Sequence, residues 1–292
     1  MKIIKILGGL GNQMFQYAFY LAVKKECPTE QILIDLHCFN GYKLHYGFEL
    51  SKIYNNLQAT PAKWQDVAKV AYPYPNFKTW KYGKHILPRR TTMFVENKFM
   101  KYEEYCIPST IGKSCYYDGY WQNEKYFKNI TDEIRKTFQF PPFDTENQKI
   151  AQQLQSCISV SMHVRRGDYL TDPLFKGTCQ ILYYKKAIKY IEDKAAPKLF
   201  CIFSNDIEWC KKEITPLISS AKVIFVTWNK GHNSFRDMQL MSTCKHNIIA
   251  NSSFSWWGAW LNHNKDKIVI APKLWYAKEN YESPVCQNWT QL

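Results

Sequence analysis

No uninterrupted apolar run in this chain approaches the roughly 20 residues a helix needs to cross a bilayer. The opening MKIIKILGGLGNQ passes from strand to glycine turn without a signal-peptide cleavage pattern. The expectation is a chain that begins in its first strand and stays in the cytoplasm. No CxxC pair occurs among the ten cysteines, so neither a zinc site nor a redox motif is signalled and no metal ligands are expected. Without an export signal the cysteines read as reduced thiols, Cys157 and Cys201 as small core residues. Repeats and low-complexity segments are missing too. Acidic residues are few: 25 Asp and Glu against 39 Lys and Arg leave a net charge of +14. That sign suits nucleic acid, an anionic membrane surface or an enzyme of phosphorylated substrates. The basic residues are spread out and no nucleic-acid-binding module is recognisable, so nucleic acid is not an expected partner.

What is present describes a globular protein: 292 residues, 46% hydrophobic and 22% charged, enough for two domains. Apolar, β-branched or aromatic runs recur at 157–164 (CISVSMHV), 199–204, 222–227, 247–250 and 267–271, with helical patterns between them. Five strands with helical crossovers predict a parallel α/β sheet of Rossmann type. The stripes Ile181, Tyr184, Ile188, Ile191 and Phe235, Met238, Met241 are core faces of two crossover helices. The first half opens with a strand at 3–7, a glycine turn, a helix at 13–25 and a strand at 31–35. Residues 40–110, rich in Tyr, Trp, Pro and Lys, give no assignable pattern; they suit an acceptor pocket or an ordinary loop core. Pro141-Pro142-Phe143 breaks the chain into predicted domains 1–143 and 144–292, with 144–156 a helical connector and the last residues packing back on the first domain.

Three predicted strand ends carry polar groups, and ligands of parallel sheets bind beyond the carboxyl ends of strands. The first is His163-Val164-Arg165-Arg166-Gly167-Asp168-Tyr169, where two guanidiniums suit a phosphate; an ion-paired terminus with Asp168 is the alternative. The second is Asn205-Asp206, whose carboxylate suits the donors of a guanine or the cap of the next helix. The third is Ser252-Ser253-Phe254, hydroxyls and amides at a helix start with an aromatic wall. In the first half, Gly8-Gly9-Leu10-Gly11-Asn12-Gln13 follows a strand, but Met14 stands where a dinucleotide fingerprint needs glycine and there is no Walker lysine. Asn12 and Gln13 suit ligand contacts or helix capping.

GGLGNQMFQYA at 8–18, DGYWQNEKYF at 118–127, HVRRGDY at 163–169, FSNDIEWC at 203–210 and NSSFSWWGAWL at 251–261 together resemble the α-1,2-fucosyltransferases, in order and over nearly the whole chain. Animal members carry an N-terminal membrane anchor, so this chain is similar to a bacterial, cytoplasmic member. The resemblance implies a GT-B fold, two Rossmann-like domains facing a cleft. It also implies inverting transfer of L-fucose from GDP-β-L-fucose to the 2-hydroxyl of a galactose, with no cofactor and no metal; the absence of a DxD signature agrees. Carried over by position, Arg165 matches the arginine on the β-phosphate, with Arg166 beside it. His163, Asn205 and Asp206 match positions near guanine, and Ser252, Ser253 and Phe254 the phosphate-side loop. Asn12, flanked by Gly11 and Gln13, matches the asparagine facing the reacting centre; Trp121 and Gln122 are further substrate-binding expectations. Asn205 departs from an aspartate common in related enzymes, which leaves open which of the pair reads the base. For a general base, Asp35 comes first, with Asp168 and His37 behind it, Asp168 also serving to orient an arginine. Expected partners are GDP-fucose and a galactose-terminated oligosaccharide or lipid-linked glycan, with peripheral association at the inner face of the bacterial membrane. The alternatives are a non-catalytic nucleotide- or glycan-binding protein and an RNA-binding protein.

Overall fold

The computed structural model describes residues 1–292 and divides into two compact units, Met1–Pro141 and Pro142–Leu292. In the first unit, β1 (Lys2–Lys5), β2 (Ile32–Asp35), β3 (Thr60–Pro61), β4 (Met93–Val95) and β5 (Cys115–Asp118) form a wholly parallel sheet in the order β3-β2-β1-β5-β4. Its principal helix, α1 (Leu10–Glu26), buries 13 of 17 residues. A helix apolar on nearly every side has to be interior. Phe19 lies stacked on Trp121 at 4.3 Å between ring centres. Burying a Phe contributes about 1.5–3 kcal/mol and a stacked pair about 1 kcal/mol more.

α1 starts at Leu10, with Gly9 as N-cap, three residues before the sequence pattern placed it. Gly8, at φ 101°, makes the turn on its own, so Gly11, Asn12 and Gln13 occupy the first helical turn and not a loop. The stretch that gave no pattern holds α2 (Leu50–Ile53), α3 (Trp64–Val70), α4 (Phe77–Ile86) and the short strands β3 and β4, and α5 (Thr131–Thr137) closes the unit. Two- and three-residue strands are too brief to show alternation, and α4 buries none of its residues and is interrupted by Gly83 among prolines.

The second unit begins with α6 (Thr145–Gln155). The strands β6 (Ser159–Val164), β7 (Leu199–Ser204), β8 (Lys222–Val226), β9 (His246–Ile248), β10 (Val269–Ala271) and β11 (Thr290–Gln291) form a second wholly parallel sheet, ordered β11-β10-β9-β6-β7-β8. The helices are α7 (Ile181–Ala195), the single turn α8 (Ile207–Trp209), α9 (Phe235–Thr243) and α10 (Ser253–Leu261). β6 is buried along its whole length, as a central parallel strand must be. Its two serines are satisfied inside: Ser159 donates to Leu154 O at 2.6 Å, and Asn247 donates to Ser161 Oγ at 2.7 Å. Ile188 and Ile191 of α7 and Met238 and Met241 of α9 face the core. The C-terminal residues complete the second unit's sheet. β11 pairs with β10, and Leu292 N donates to Ala271 O at 3.1 Å, because the open edge of β10 offers unpaired carbonyls. Two Rossmann-like α/β units on parallel sheets make up the GT-B composition expected from the sequence.

Candidate functional site

In the second unit the neighbours β9, β6 and β7 end side by side, so residues 249–253, 165–168 and 205–206 share one edge of the sheet. Adjacent strands lie about 4.8 Å apart, so the three ends span roughly 10 Å. Arg165 Nη2 meets Asp168 at 2.9 and 3.1 Å, with Arg165 33% and Asp168 62% exposed. An ion pair this exposed contributes only about 0–1 kcal/mol, so Asp168 orients the guanidinium yet yields it cheaply to a phosphate. Arg166 is held harder. Its Nε donates to Asp206 at 3.0 Å, its guanidinium lies 4.1 Å from the Trp209 ring centre, and its backbone N–H donates to Asn205 Oδ1 at 2.9 Å.

Asp206 is also a helix cap, accepting from Trp209 N at 3.2 Å. It therefore performs both structural tasks, capping α8 and pairing with Arg166, while Asn205 fixes the turn of the arginine pair. Gly167 is required there: its φ is 48°, and a Cβ would fall 2.5 Å from Asn205 Nδ2. His163 sits beneath the turn at 9% exposure, its Nδ1 without a partner and its ring 6.1 Å from that of Phe254. Burial, reinforced by Arg165, pushes its pKa down to about 3, so the ring is neutral at working pH. Ser252 caps α10, accepting from Phe254 N at 3.4 Å, and Ser253 opens the helix, whose positive end adds to the arginines. Tyr169 stacks on Phe175 at 4.5 Å and carries the Arg165 guanidinium 5.3 Å from its ring centre, which supports the arginine turn. The sequence reading missed Trp209 and Tyr169 as supports, although both lie inside the quoted strings. An aromatic beside an arginine was the available signal.

The corresponding edge of the first unit is closed by its own contacts. Asn12 accepts from Gln122 Nε2 at 2.8 Å, so that pair is brought together as a neutral amide couple. Gln13, expected to touch substrate, is wholly buried. Its amide donates to Gly8 O and Gly47 O, both at 2.8 Å, and accepts from Glu49 N at 2.9 Å, so it clamps the 47–49 loop. Gly11 is buried in the helix. Trp121, also expected at the ligand, is a 0% exposed core residue with φ 56°, because the chain turns inward behind Gly119. Glu96 makes that turn by accepting from Tyr120 N at 2.7 Å and Trp121 N at 2.8 Å; burial raises its pKa to about 7.

Asp35 ends β2 at 4% exposure with its acceptors engaged: His37 N at 2.9 Å, His37 Nδ1 at 2.7 Å and Tyr116 OH at 2.6 Å. Burial raises its pKa, but the donors of His37 and Tyr116 outweigh that and hold it below the usual range. His37, hydrogen-bonded to Asp35, is raised despite partial burial. Its Nε2 makes no hydrogen bond within the protein, and the side chain is 25% exposed. An accessible imidazole backed by a buried carboxylate can exchange a proton with a hydroxyl; the enclosed carboxylate cannot. No group of three or more His, Cys, Asp or Glu side chains is placed to hold a metal ion.

The family profile described as Glycosyl transferase family 11 matches residues 1–292. The chain is 35% identical over 298 aligned residues to Alpha-1,2-colitosyltransferase of Escherichia coli, covering 99% of this chain and 98% of that protein. It is 31% identical to O-antigen biosynthesis glycosyltransferase WbnK of the same species, covering 98% of each. Human Galactoside alpha-(1,2)-fucosyltransferase 1 is 28% identical over 47% of this chain and 40% of that protein.

Proposed function

The chain belongs to glycosyl transferase family 11 and is a glycosyltransferase; from that premise we propose that it moves L-fucose from GDP-β-L-fucose to the 2-hydroxyl of a galactose in a glycan acceptor, inverting to an α linkage without a metal ion or other cofactor. The observation that carries the reading is the pair of guanidiniums at the end of β6 beside the positive end of α10. As the bond from fucose C1 to the β-phosphate oxygen breaks, its electron pair stays on the phosphate, where Arg165 and the α10 dipole stabilise it. The acceptor oxygen bonds to C1 from the opposite face and its proton passes to His37 Nε2. Asp35, with its acceptors engaged, positions the imidazole and is not itself the base. His163, neutral and with Nδ1 unpartnered, suits a hydrogen bond to the nucleotide. The basic net charge suits work in the cytoplasm against an anionic membrane face where lipid-linked glycans are held.

The test is GDP release from GDP-fucose over a panel of galactose-terminated acceptors, with the linkage read by NMR. Binding of GDP without turnover on any acceptor would leave a nucleotide-binding protein. A colitosyl donor is the second reading, favoured by the name of the relative that is 35% identical over 99% of this chain. Running both GDP-sugars in the same assay separates the two.

A further inference from the structure

We propose that α4 and the segment after it dock the protein on an anionic lipid surface. None of the ten residues of α4 is buried, and every residue from 81 to 89 except Gly83 is exposed. Apolar and basic side chains share that exposure: Tyr82 is 59%, Ile86 78% and Leu87 42% exposed, interleaved with Lys78, Lys81, His85 and Arg89. Tyr82 and Ile86, four residues apart, lie on one helix face, so the apolar groups form a strip with cations along it. Lys78 and Lys81 have no ion-pair partner, and no Asp or Glu occurs anywhere from 67 to 95.

The opposite face anchors the helix. Trp80 takes the Lys5 ammonium at 3.9 Å and the Lys84 ammonium at 4.2 Å from its ring centre, and donates to Asp118 at 3.4 Å. Phe77 meets Tyr42 edge-on at 4.8 Å, and Tyr74 packs so closely on Gly83 that a Cβ there would lie 2.4 Å from its ring. Lys84, though exposed, is thus engaged at Trp80. Arg90 is also spoken for, donating to the carbonyls of Ala68, Lys69 and Ala71. The outward strip has no such task. A polyanion such as RNA would leave Ile86 and Leu87 in water, whereas a bilayer interface takes apolar groups into the acyl boundary and pairs lysines with headgroups. Lys5 and Asp118 end β1 and β5, so the anchored helix lies at the strand-end edge that also carries His37. A lipid-linked acceptor would be delivered to that edge; this last step rests on the proposed transfer, the docking does not.

The experiment is co-sedimentation of the full chain with phosphatidylcholine vesicles, with and without phosphatidylglycerol. Binding should require the anionic lipid and fall with salt. Lys78→Gln with Lys81→Gln should weaken it roughly 25-fold, about fivefold for each cation. Ile86→Ser with Leu87→Ser should weaken it about tenfold or more while leaving the salt dependence in place. Both variants should keep wild-type melting temperature and wild-type turnover of a soluble acceptor. Loss of turnover on a vesicle-borne acceptor alone supports docking and transfer together; loss of vesicle binding with no turnover in any variant or wild type supports docking and removes only the transfer reading. Equal binding to both vesicle types, variants within about twofold of wild type where about fivefold per cation is expected, or tighter binding to RNA than to anionic vesicles at the same salt would overturn the proposal.

Discussion

At the strand-end edge of the first unit the polar side chains have already found partners. Gln13 satisfies three backbone groups, Glu96 two, and Asp35 is held by His37 and Tyr116. At the same edge of the second unit, Arg165 and Asp168 stand 33% and 62% exposed in a weak pair, and His163 keeps an unpartnered nitrogen. One edge spends its hydrogen bonds on shaping loops; the other leaves them for a ligand. A fixed anion needs fixed charged donors, which a short strand-end motif can supply. A neutral glycan needs a surface of particular shape, which long loops supply and their buried amides stabilise.

The largest expected effect breaks the open edge. Arg165→Ala removes the donor proposed to stabilise the leaving phosphate, and loss of such a donor costs about 3–4 kcal/mol of barrier, roughly 100- to 1,000-fold in kcat. The melting temperature should hold, because the pair with Asp168 contributes so little. Arg165→Lys should rescue poorly, since a point charge lacks the bidentate fork. Turnover above about a tenth of wild type in the alanine variant would remove Arg165 from the reaction.

The next effect concerns His37, a partly exposed group of the closed edge. His37→Gln should lower kcat/KM about 100-fold or more, within the range for a lost general base. The wild-type profile should carry an acid limb, since the raised pKa protonates the ring as pH falls through a value above 6.5. The variant should lack that limb. An unchanged profile would return the base to another group.

These two predictions also mark what the sequence could show. Arg165, Arg166, Asn205, Asp206, Ser252 and Ser253 were legible because each lies within a few residues of an apolar run, and β9, β6 and β7 prove to be neighbours in the parallel sheet. Asp35 was legible as a strand-end carboxylate, but that Tyr116, 81 residues away, would enclose it was not. Gln13 and Trp121 lie in strings as informative as any other, yet both turn inward, because whether a side chain faces ligand or core depends on where 47–49 and 119–121 fold back. The exposed helix α4 was passed over for another reason: none of its residues is buried, it carries Gly83 within it, and it lies between Pro75 and Pro88 in a segment dense with turn signals.

A third effect tests whether the closed edge is structural. Gln13→Ala leaves Gly8 O, Gly47 O and Glu49 N without their partner, and unsatisfied buried groups cost about 1–3 kcal/mol each when water cannot reach them. A total loss of about 2–4 kcal/mol is expected by urea denaturation, less than the sum because the loop relaxes. GDP affinity should be unchanged, since the second unit does not contain Gln13. A variant as stable as wild type but with weakened acceptor binding would make Gln13 a ligand contact after all.

The smallest effect sharpens the comparison by finding a closed feature in the open unit. Asp237, in the first turn of α9, accepts from Asn229 at 2.8 Å, and burial, only partly offset by that donor, raises its pKa from 3.8 to about 7. With the folded value above the unfolded one, the native state holds the proton more tightly. Stability should therefore fall as pH rises from about 4 to about 7 and level off beyond. Asp237→Asn keeps the side-chain shape without the charge, so it should match or slightly trail wild type near pH 4. It should exceed wild type by on the order of 1–2 kcal/mol at pH 8, less than the full linkage because the new amide must itself be desolvated. Glu96, raised to a similar value at the first unit's edge, should not behave alike. Both its oxygens accept backbone N–H groups, and Glu96→Gln would turn an NH2 toward one of them. Urea midpoints for both variants at pH 4 and pH 8 separate a carboxylate that merely tolerates burial from one that holds a turn in place.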